Sequence, residues 1–270
     1  MNSQICLSME SKMIELNNIY NEDCLEGMSR IPDGSVDAII CDLPYGVLNK
    51  QSEGGMWDCV IPFEPLWQQY LRITKPTSPI ILFASGLFTG QLMMSQPKLW
   101  RYNLVWDKCR ATGFLNASRM PLRRHEDICV FYRQLPLYNP QMEDLNGREA
   151  THKSGNGSHT DTNRCYGKVN RYQRQVLDKK FPGSIISIPA VHCNEQQFHP
   201  TQKPVDLLRY LILTYTEVGG VVLDNCIGSG TTAIAAIKEK RNFIGFETNK
   251  EYYDKAVSRI MKEKQYKTLF

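Results

Sequence analysis

The stretch Asp42-Leu43-Pro44-Tyr45 places a carboxylate, a constrained carbonyl and an aromatic ring directly after an apolar run. Exocyclic amino groups of nucleobases are weak nucleophiles because the nitrogen lone pair is delocalised into the ring. Asp42 can accept one N–H of such an amine. The Leu43 carbonyl can accept the other, because Pro44 restricts the preceding residue to an extended conformation. Tyr45 can stack on a base extruded from a duplex. The four residues predict chemistry at the amine of a flipped base.

A glycine-bearing turn, "LDNCIGSGTT", lies between a strand pattern and a helix pattern. Gly228 and Gly230 permit positive φ and a close approach of a ligand to the backbone. The helix that follows presents its free N–H groups to that ligand. Glu247 ends the next strand, where an acid can accept hydrogen bonds from ribose hydroxyls. The turn lacks the third glycine of an NAD site, and Asp224 before it suits a ligand with an amino group.

Alternating strand and helix patterns must position these two motifs. Apolar runs such as "SVDAII", "PIILFAS", "GGVVLDNC" and "NFIGFET" predict strands, and "FEPLWQQYLRIT" and "TTAIAAIKEK" predict helices. "YNLVWDK" and "HEDICVFYR" predict two more strands, with "CRATGFLNASRMPLRR" looping between them. Such alternation predicts an open, largely parallel α/β sheet.

The segment 134–195 departs from this pattern, because it is rich in Gly and Pro and has no regular hydrophobic period. It reads as an insertion or small recognition domain. The net charge of the chain is only +4, but Lys and Arg clearly outnumber Asp and Glu between residues 101 and 180. A basic segment on a mildly acidic body indicates a surface that binds a polyanion.

Composition excludes several other classes of protein. The 270 residues are 22% charged and 42% hydrophobic, as in a globular protein, and the apolar runs are too short to span a membrane. We see no export signal at the start, and we expect a cytoplasmic, nucleoid-associated protein. The nine cysteines form no CxxC pair, so they indicate reduced thiols, and no metal site is predicted.

Together the motifs resemble the β-class amino-methyltransferases, which transfer methyl from S-adenosylmethionine to DNA bases. The family's permuted order is present: "DLPYG" precedes the irregular insertion, which precedes "HPTQKP" and "LDNCIGSGTT". "NEDCLE" matches the family's adenine-contacting turn, and "FETN" matches its ribose site. Two positions depart from the family pattern. Leu43 replaces the first proline of D-P-P-Y, and Asn225-Cys226 replace the P-F of the cofactor motif.

The resemblance implies a fold, a domain arrangement and a set of site residues. The fold is α/β, a Rossmann-like open mixed sheet that is mostly parallel with an antiparallel hairpin, with helices on both faces and an irregular insert. Residues 13–133 and 196–270 would form the catalytic domain, and residues 134–195 the target-recognition region. The cofactor S-adenosyl-L-methionine would contact Asp23, Cys24, Thr201, Lys203, Asp224, Cys226, Gly228, Ser229, Gly230, Thr231, Thr232, Phe246 and Glu247. Of these, Thr201 and Lys203 would lie near its carboxylate.

The DNA contacts are predicted in two groups. Three arginines would contact phosphates without reading sequence, namely Arg119, Arg123 and Arg124. Four residues of the insertion are candidates for base readout, namely Arg164, Lys168, Arg171 and Arg174. The loop from Gly46 to Asp58 could close over the extruded base, with Trp57 as its cap.

An aspartate in first place, as in Asp42, is typical of family members that methylate adenine N6, whereas a serine is typical of cytosine-N4 enzymes. We therefore expect a site-specific adenine-N6 DNA methyltransferase. The alternatives are a cytosine-N4 enzyme and a non-catalytic DNA-binding protein on the same fold. Transfer would be direct, so no cysteine is needed as a nucleophile. Expected partners are double-stranded DNA, a cognate restriction endonuclease and a second copy of the chain, with no membrane.

Overall fold

The computed structural model describes residues 13–47, 58–144, 162–163, 167–168, 179–191 and 202–268. The chain divides into two compact units, the first formed by residues 1–139 with 184–270 and the second by residues 140–183. The described strands are β1 (Asn18–Tyr20), β2 (Ala38–Asp42), β3 (Ile80–Ala84), β4 (Trp100–Thr112), β5 (Arg123–Phe131), β6 (Glu143–Asp144), β7 (Thr162–Asn163), β8 (Gly167–Lys168), β9 (Lys179–Lys180), β10 (Ile185–Ser187), β11 (Val221–Asp224) and β12 (Asn242–Phe246). The helices are α1 (Cys24–Ser29), α2 (Phe63–Ile73), α3 (Leu87–Ser95), α4 (Val205–Tyr215), α5 (Thr231–Lys238) and α6 (Lys250–Thr268).

The first unit contains an eight-stranded sheet in the order β1-β12-β11-β2-β3-β5-β4-β10. Neighbouring strands are parallel except where β5 pairs with β3 and β4, and both of those pairings are antiparallel. Strand β5 alone is therefore reversed, and its amino end lies at the edge where the other seven strands have their carboxyl ends. The predicted mixed sheet with an antiparallel hairpin is confirmed.

Helices cover both faces of this sheet, as predicted. Along β2, Ile39 and Cys41 pack with α1, α2 and α3, whereas Ala38 and Ile40 pack with α4, α5 and α6. Because side chains alternate across a strand, a strand that is covered on both faces must be apolar throughout. The continuous run "AIIC" meets that requirement, and all four of its residues are buried.

The amphipathic pattern of α2 explains how one of these helices packs. Leu66, Trp67, Tyr70 and Ile73 recur at helical spacing and are all buried. The helix ends at Ile73, and the backbone N–H of Thr74 bonds to the carbonyl of Tyr70. The predicted helix therefore forms where its apolar stripe meets the sheet.

The sheet has a topological switch point between β2 and β11. After β2 the chain adds β3 on one side, and after β11 it adds β12 on the other. Ligands of open α/β sheets bind in the crevice outside the carboxyl ends of the two strands that flank such a point. The last residues of these strands are Asp42 and Asp224, so the fold brings the two sequence motifs to the same place.

Two features of the structure differ from the sequence-based expectation. The loop expected over residues 109–124 is shorter than predicted, because β4 extends to Thr112 and β5 begins at Arg123. Between them lies a short 3-10 helix over Phe114–Asn116. In addition, β10 falls within the range 134–195 that was expected to be inserted, yet it pairs in parallel with β4 as part of the main sheet. Its three residues are too few to show a period.

The second unit contains two short antiparallel pairs, β6 with β9 and β7 with β8. Ion pairs join the strands of the first pair, from Lys180 to Glu143 at 2.8 Å and from Lys179 to Asp144 at 3.7 Å.

Among the described residues of the whole chain, no helix has the length and apolar character needed to cross a membrane.

Candidate active site

A cavity of about 350 Å³ lies at the carboxyl edge of the sheet, a size common for small-molecule sites. Its wall brings together residues that are far apart in sequence, because it is built from the ends of β2, β11 and β12. The predicted site residues that line it are Asp23, Cys24, Asp42, Leu43, Pro44, Tyr45, Lys203, Asp224, Cys226, Gly228, Ser229, Thr231, Thr232, Phe246 and Glu247.

The turn after β2 holds the predicted catalytic motif in a defined geometry. The hydroxyl of Tyr45 donates a 2.7 Å hydrogen bond to Oδ1 of Asp42. The Tyr45 ring stacks on Phe88, with ring centroids 5.0 Å apart. Burial, followed by the nearby Asp42 carboxylate, raises the pKa of Tyr45 well above its usual value, so its hydroxyl remains a donor at neutral pH. The side chain of Leu43 is buried in the core, which leaves its backbone for the cavity.

Asp58 anchors this turn from the far side of the loop that follows it. Its carboxylate accepts hydrogen bonds from the backbone N–H of Gly46 at 2.9 Å and of Val47 at 2.7 Å, and the side chain is buried. The loop predicted to close over a base lies mostly in residues 48–57, including Trp57, and these residues are outside the described part of the chain.

The ammonium of Lys203 lies beside the carboxylate of Asp42. Its Nζ forms a short ion pair with Oδ2 of Asp42 and lies 3.2 Å from Oε2 of Glu126. Lys108 in turn pairs with Oε1 of Glu126 at 2.5 Å. These contacts form a mostly buried row of four residues, in the order Asp42, Lys203, Glu126 and Lys108. Carboxylates and ammonium groups alternate along the row, so its two negative and two positive charges balance.

The pKa values in this row follow from burial and charge together. Burial raises the pKa of Asp42 above its usual value, and the attraction of Lys203 only partly offsets this. Burial also acts to raise the pKa of Glu126, but Lys203 and Lys108 outweigh it, and that pKa lies below its usual value. For Lys203, burial acts to lower the pKa, yet Asp42 and Glu126 outweigh it and hold the ammonium charged.

The glycine turn on the other side of the cavity has the conformation that the sequence predicted. Gly228 and Gly230 have φ of 50° and 78°, and Gly230 caps helix α5. The carboxylate of Glu247 accepts hydrogen bonds from the backbone N–H of Gly228 at 3.0 Å and of Asn249 at 2.8 Å. The predicted ribose acceptor is therefore tied directly to the turn, and burial raises its pKa.

Asp224 is buried below this turn and is held by its own loop. Its oxygens accept hydrogen bonds from the backbone N–H of Cys226 at 3.1 Å and from the hydroxyl of Thr232 at 2.5 Å. Burial raises the pKa of Asp224 to about 6, although these hydrogen bonds act to lower it.

The cavity wall around Cys24 and Cys226 contains a polar residue, Asn225, that was not predicted as a site residue. The amide of Asn225 donates to Sγ of Cys24 at 3.6 Å and of Cys226 at 3.5 Å, while its oxygen accepts a 2.5 Å bond from Tyr70. The carboxylate of Asp23 caps helix α1 through the N–H of Leu25 at 2.8 Å. A buried Asn directly after Asp224 was a possible signal, but it was interpreted only as a departure from the family motif.

Several predicted residues do not contribute to the described cavity. Gly230 caps α5 and is not among the residues that line the cavity. Arg119 and Arg123 are exposed on the β4–β5 hairpin. Arg124 pairs with Asp107 through two bonds of 2.8 and 3.0 Å. Thr201, Arg164, Arg171 and Arg174 lie outside the described residues, and only the backbone of Lys168 is described, in β8.

Glu126 and Lys108 were also missed as site residues. Both belong to segments that were interpreted only as strands because of their apolar residues, namely "HEDICVFYR" and "YNLVWDK". Both residues lie where polar and charged residues adjoin the apolar part of their strand, so the sequence offered no specific signal for either. Of the His, Cys, Asp and Glu side chains in the described ranges, no group of three could hold a metal ion.

Comparison with solved structures defines the class of fold. The M1.HpyAVI–SAM complex superposes with a TM-score of 0.59 at 22% sequence identity, covering 90% of this chain and 98% of that one. PvuII DNA methyltransferase, described as cytosine-N4-specific, gives a TM-score of 0.62 at 14% identity, covering 93% and 92%. The fold is therefore the Rossmann-like fold of the DNA methyltransferases.

Comparison of sequences then defines the family. The family model described as DNA methylase, for N6 and N4 methyltransferases, matches residues 36–258, and the chain belongs to this family. The Type II methyltransferase M.BglII of Bacillus subtilis is 28% identical over 255 residues, which are 88% of this chain and 67% of that protein. M1.MboII of Moraxella bovis is 25% identical over 270 residues, covering 90% and 96%. Members of the family use S-adenosylmethionine.

The chemistry of the cavity fits that cofactor. S-adenosylmethionine carries an ammonium and a carboxylate at its amino acid end, a sulfonium, a ribose and an adenine. The cavity offers the buried carboxylate of Asp224 and the carboxylate of Glu247, and it adjoins a turn with two glycines of positive φ. A carboxylate such as that of Asp224 attracts an ammonium more strongly in a buried site than in water.

Proposed function

We propose that this DNA methyltransferase transfers the methyl group of S-adenosylmethionine to N6 of adenine in duplex DNA, with the target base flipped into the cavity. The observation that carries the proposal is the carboxylate of Asp42, which ends β2 at the switch point, bonded to Tyr45 and Lys203. An aspartate at this position is typical of adenine-N6 enzymes, as the sequence motif indicated.

The proposed chemistry of the chain's own residues follows from this geometry. The carboxylate of Asp42 and the carbonyl of Leu43 accept the two N–H bonds of the amine, which draws the nitrogen toward tetrahedral geometry and restores its lone pair. Tyr45 stacks on the base and orients Asp42. The proton that the amine loses passes to Asp42 or to water. Orientation of the reactants then supplies most of the rate.

The proposed cofactor site lies on the other side of the cavity. When bound, S-adenosylmethionine supplies the electrophilic methyl group. Asp224 would attract its ammonium, Glu247 would accept hydrogen bonds from its ribose, and the turn from Gly228 to Gly230 would pack against it. Cys24 and Cys226 would line the adenine end. Lys203 contacts Asp42 and Glu126, so we assign it to the base side of the cavity, and its predicted proximity to the cofactor's carboxylate stays untested.

The proposed DNA surface includes the β4–β5 hairpin. Arg119 and Arg123 are exposed there and would contact phosphates. Arg124 is engaged by Asp107, so its contact with phosphate would compete with that ion pair. We assign target recognition to the range 134–195, of which residues 140–183 form a separate compact unit, whereas β10 belongs to the main sheet. A partner endonuclease, suggested by the Type II relatives, and a homodimer stay predictions.

Analysis of the methylated product tests the proposal. The purified protein is incubated with duplex DNA and S-adenosylmethionine carrying a deuterated methyl group, and the DNA is digested to nucleosides for mass spectrometry. Labelled N6-methyldeoxyadenosine is the expected product. Labelled N4-methyldeoxycytidine would overturn the choice of base while retaining the reaction. Bound cofactor without any labelled nucleoside would favour the non-catalytic alternative.

A further inference from the structure

Glu126 gives the base side of the cavity a carboxylate in addition to Asp42, and neither the cofactor nor the proposed motif chemistry requires it. It lies near the amino end of β5, opposite Trp106 in the register of the β4–β5 pairing. Because β5 is reversed within the sheet, this position lies at the same edge as the end of β2. Its side chain is 14% exposed, and the residue lines the cavity with Asp42.

The ammonium of Lys203 is shared between the two carboxylates. It forms a short ion pair with Asp42 and lies 3.2 Å from Oε2 of Glu126. It also lies over the rings of Phe83 at 5.0 Å and Trp106 at 6.0 Å, where a cation is attracted to the aromatic face. Movement of the ammonium between the carboxylates therefore keeps it on a favourable surface and leaves the total charge of the row unchanged.

The hydrogen bonds of Asp42 show why such a movement matters. Oδ1 accepts the bond from Tyr45, and Oδ2 is occupied by Lys203. An incoming amine must therefore compete with an ammonium for Oδ2. Across the row, Oε2 of Glu126 is buried and accepts no hydrogen bond of good geometry from any described residue, although Lys203 lies within ion-pair distance. Oε2 of Glu126 can therefore accept a further hydrogen bond, and it lies beside the Lys203 ammonium that must move.

We propose that Glu126 is a positioning residue that takes over the ammonium of Lys203 when the amine of the target base engages Oδ2 of Asp42. This inference rests on the proposed function, since it assigns a step at the same site. Lys108 balances Glu126 from the other side at 2.5 Å, so Glu126 stays ionised and ready to receive the cation. A buried ammonium that loses its carboxylate partner is an uncompensated charge, which is costly. Because Lys203 also contacts Glu126, it keeps a partner when it moves away from Asp42.

The groups that face Asp42 predict opposite effects of two substitutions. The charged or titratable groups around it are Lys203, Glu126, Tyr45, Cys41 and Asp224. Lys203 lowers the pKa of Asp42, whereas Glu126 raises it. Glu126→Gln should therefore lower the pKa of Asp42, and Lys203→Met should raise it. A general loss of structure would not produce shifts of opposite sign.

Two measurements on the full-length protein test the inference. The titration of Asp42 is followed by NMR in protein labelled with ¹³C at the aspartate carboxyl, with the signal assigned from Asp42→Asn. The pH dependence of kcat is measured with a methylatable duplex. In E126Q we expect kcat to fall by about tenfold or more because Lys203 stays on Asp42, and the acid limb to move to lower pH. In K203M the acid limb should move to higher pH, and E126D should recover part of the rate.

Asp127→Asn is the matched control, because Asp127 is the adjacent carboxylate on β5 and bonds to Thr89 at 2.8 Å instead of Lys203. It should leave both the Asp42 titration and the kcat profile in place. Equal shifts in E126Q and D127N, shifts of the same sign in E126Q and K203M, or an unchanged kcat in E126Q would each overturn the inference. If the wild-type protein methylates no DNA, the proposed function fails, and the NMR titration still decides whether Glu126 and Lys203 act on the Asp42 carboxylate with opposite sign.

Discussion

The hydroxyl of Tyr45 lies 2.7 Å from Oδ1 of Asp42, so the aromatic residue of the motif bonds directly to its acid. Tyr45 therefore has two separable functions in the proposed mechanism, since its ring can stack on the base while its hydroxyl orients the carboxylate. Hydrogen bonds to charged groups contribute about 1.5–3 kcal/mol, and base stacking contributes about 1–3 kcal/mol per base. These ranges allow the two functions to be told apart by substitution.

Replacement of Tyr45 by Phe should lower kcat by about tenfold or more, because the hydrogen bond to the Asp42 carboxylate is lost while the ring is kept. Replacement by Ala should also remove stacking and cost a further factor of about ten or more in kcat/KM for DNA. Steady-state kinetics with a methylatable duplex measures both effects. Equal rates for the Phe and Ala variants would show that the ring contributes no stacking.

Replacement of Asp42 by Ala or Asn should abolish methyl transfer, because the amine would lose its anionic hydrogen-bond acceptor. The loss in kcat should be at least about 100-fold, as for other residues that act on the reacting group. Cofactor affinity, measured by calorimetry, should persist within a few-fold. An Asp42→Ala variant with near-normal turnover would refute the assigned function of this carboxylate.

The affinity for S-adenosylmethionine should depend on pH through Asp224. Its pKa is raised by burial to about 6, so the carboxylate is neutral below that pH and cannot attract the ammonium. Well below pH 6, affinity should fall by about tenfold per pH unit, and binding near pH 6 should release protons. Calorimetry in buffers of different ionisation enthalpy measures both quantities.

The matched control for this pH dependence is 5′-methylthioadenosine, which lacks the amino acid end of the cofactor. Its affinity should change little over the same pH range. A parallel loss of affinity for both ligands would place the titrating group elsewhere in the cavity.

The thiol of Cys226 should be protected by the cofactor, because it lines the cavity and is only partly exposed. Alkylation with N-ethylmaleimide, mapped by peptide mass spectrometry, should slow at Cys226 when S-adenosylmethionine is present. Cys109 is exposed on β4 and outside the cavity wall, so it should react equally with and without cofactor. Protection at Cys109 as well would indicate a change in the whole protein.

Arg123 should contribute to DNA binding through charge alone. The Arg123→Ala variant should weaken binding to all duplexes to a similar degree and reduce the slope of log K against log salt by about one. Lys255→Ala, at an exposed helix position paired with Glu251, is the control and should leave the slope unchanged. A loss of affinity limited to one sequence would assign Arg123 to base readout instead.

The sequence predicted the fold and the two motifs because both depend on local patterns. Apolar runs with turn signals defined β2 and β11, and parallel strands on either side of a switch point must bring their ends together. The hairpin of β4 and β5 was predicted too short, because its extension beyond the core, to Thr112 and from Arg123, carries exposed and polar residues. Tertiary pairing, which a single-sequence pattern does not contain, holds those residues in strands.

The pairing of Lys203 with Asp42 and Glu126 could not be predicted from sequence. The three residues come from a helix entrance, a strand end and a reversed strand, and their contact depends on the position of β5 in the sheet. The resemblance placed Lys203 near the cofactor, whereas the described side chain contacts two carboxylates. The motif predicted that Lys203 lies at the site, but its ion-pair partners follow only from the three-dimensional packing.

The hydrogen bonds that the Asp58 carboxylate accepts from Gly46 and Val47 have a consequence for sequence changes in the loop that follows the reactive turn. The chain departs from the reactive turn at Val47 and returns at Asp58, and one carboxylate clamps both ends. A segment tethered in this way can be lengthened, shortened or exchanged while its attachment points stay fixed. We therefore expect the reactive turn to keep its attachment to Asp58 when the residues between Val47 and Asp58 are exchanged.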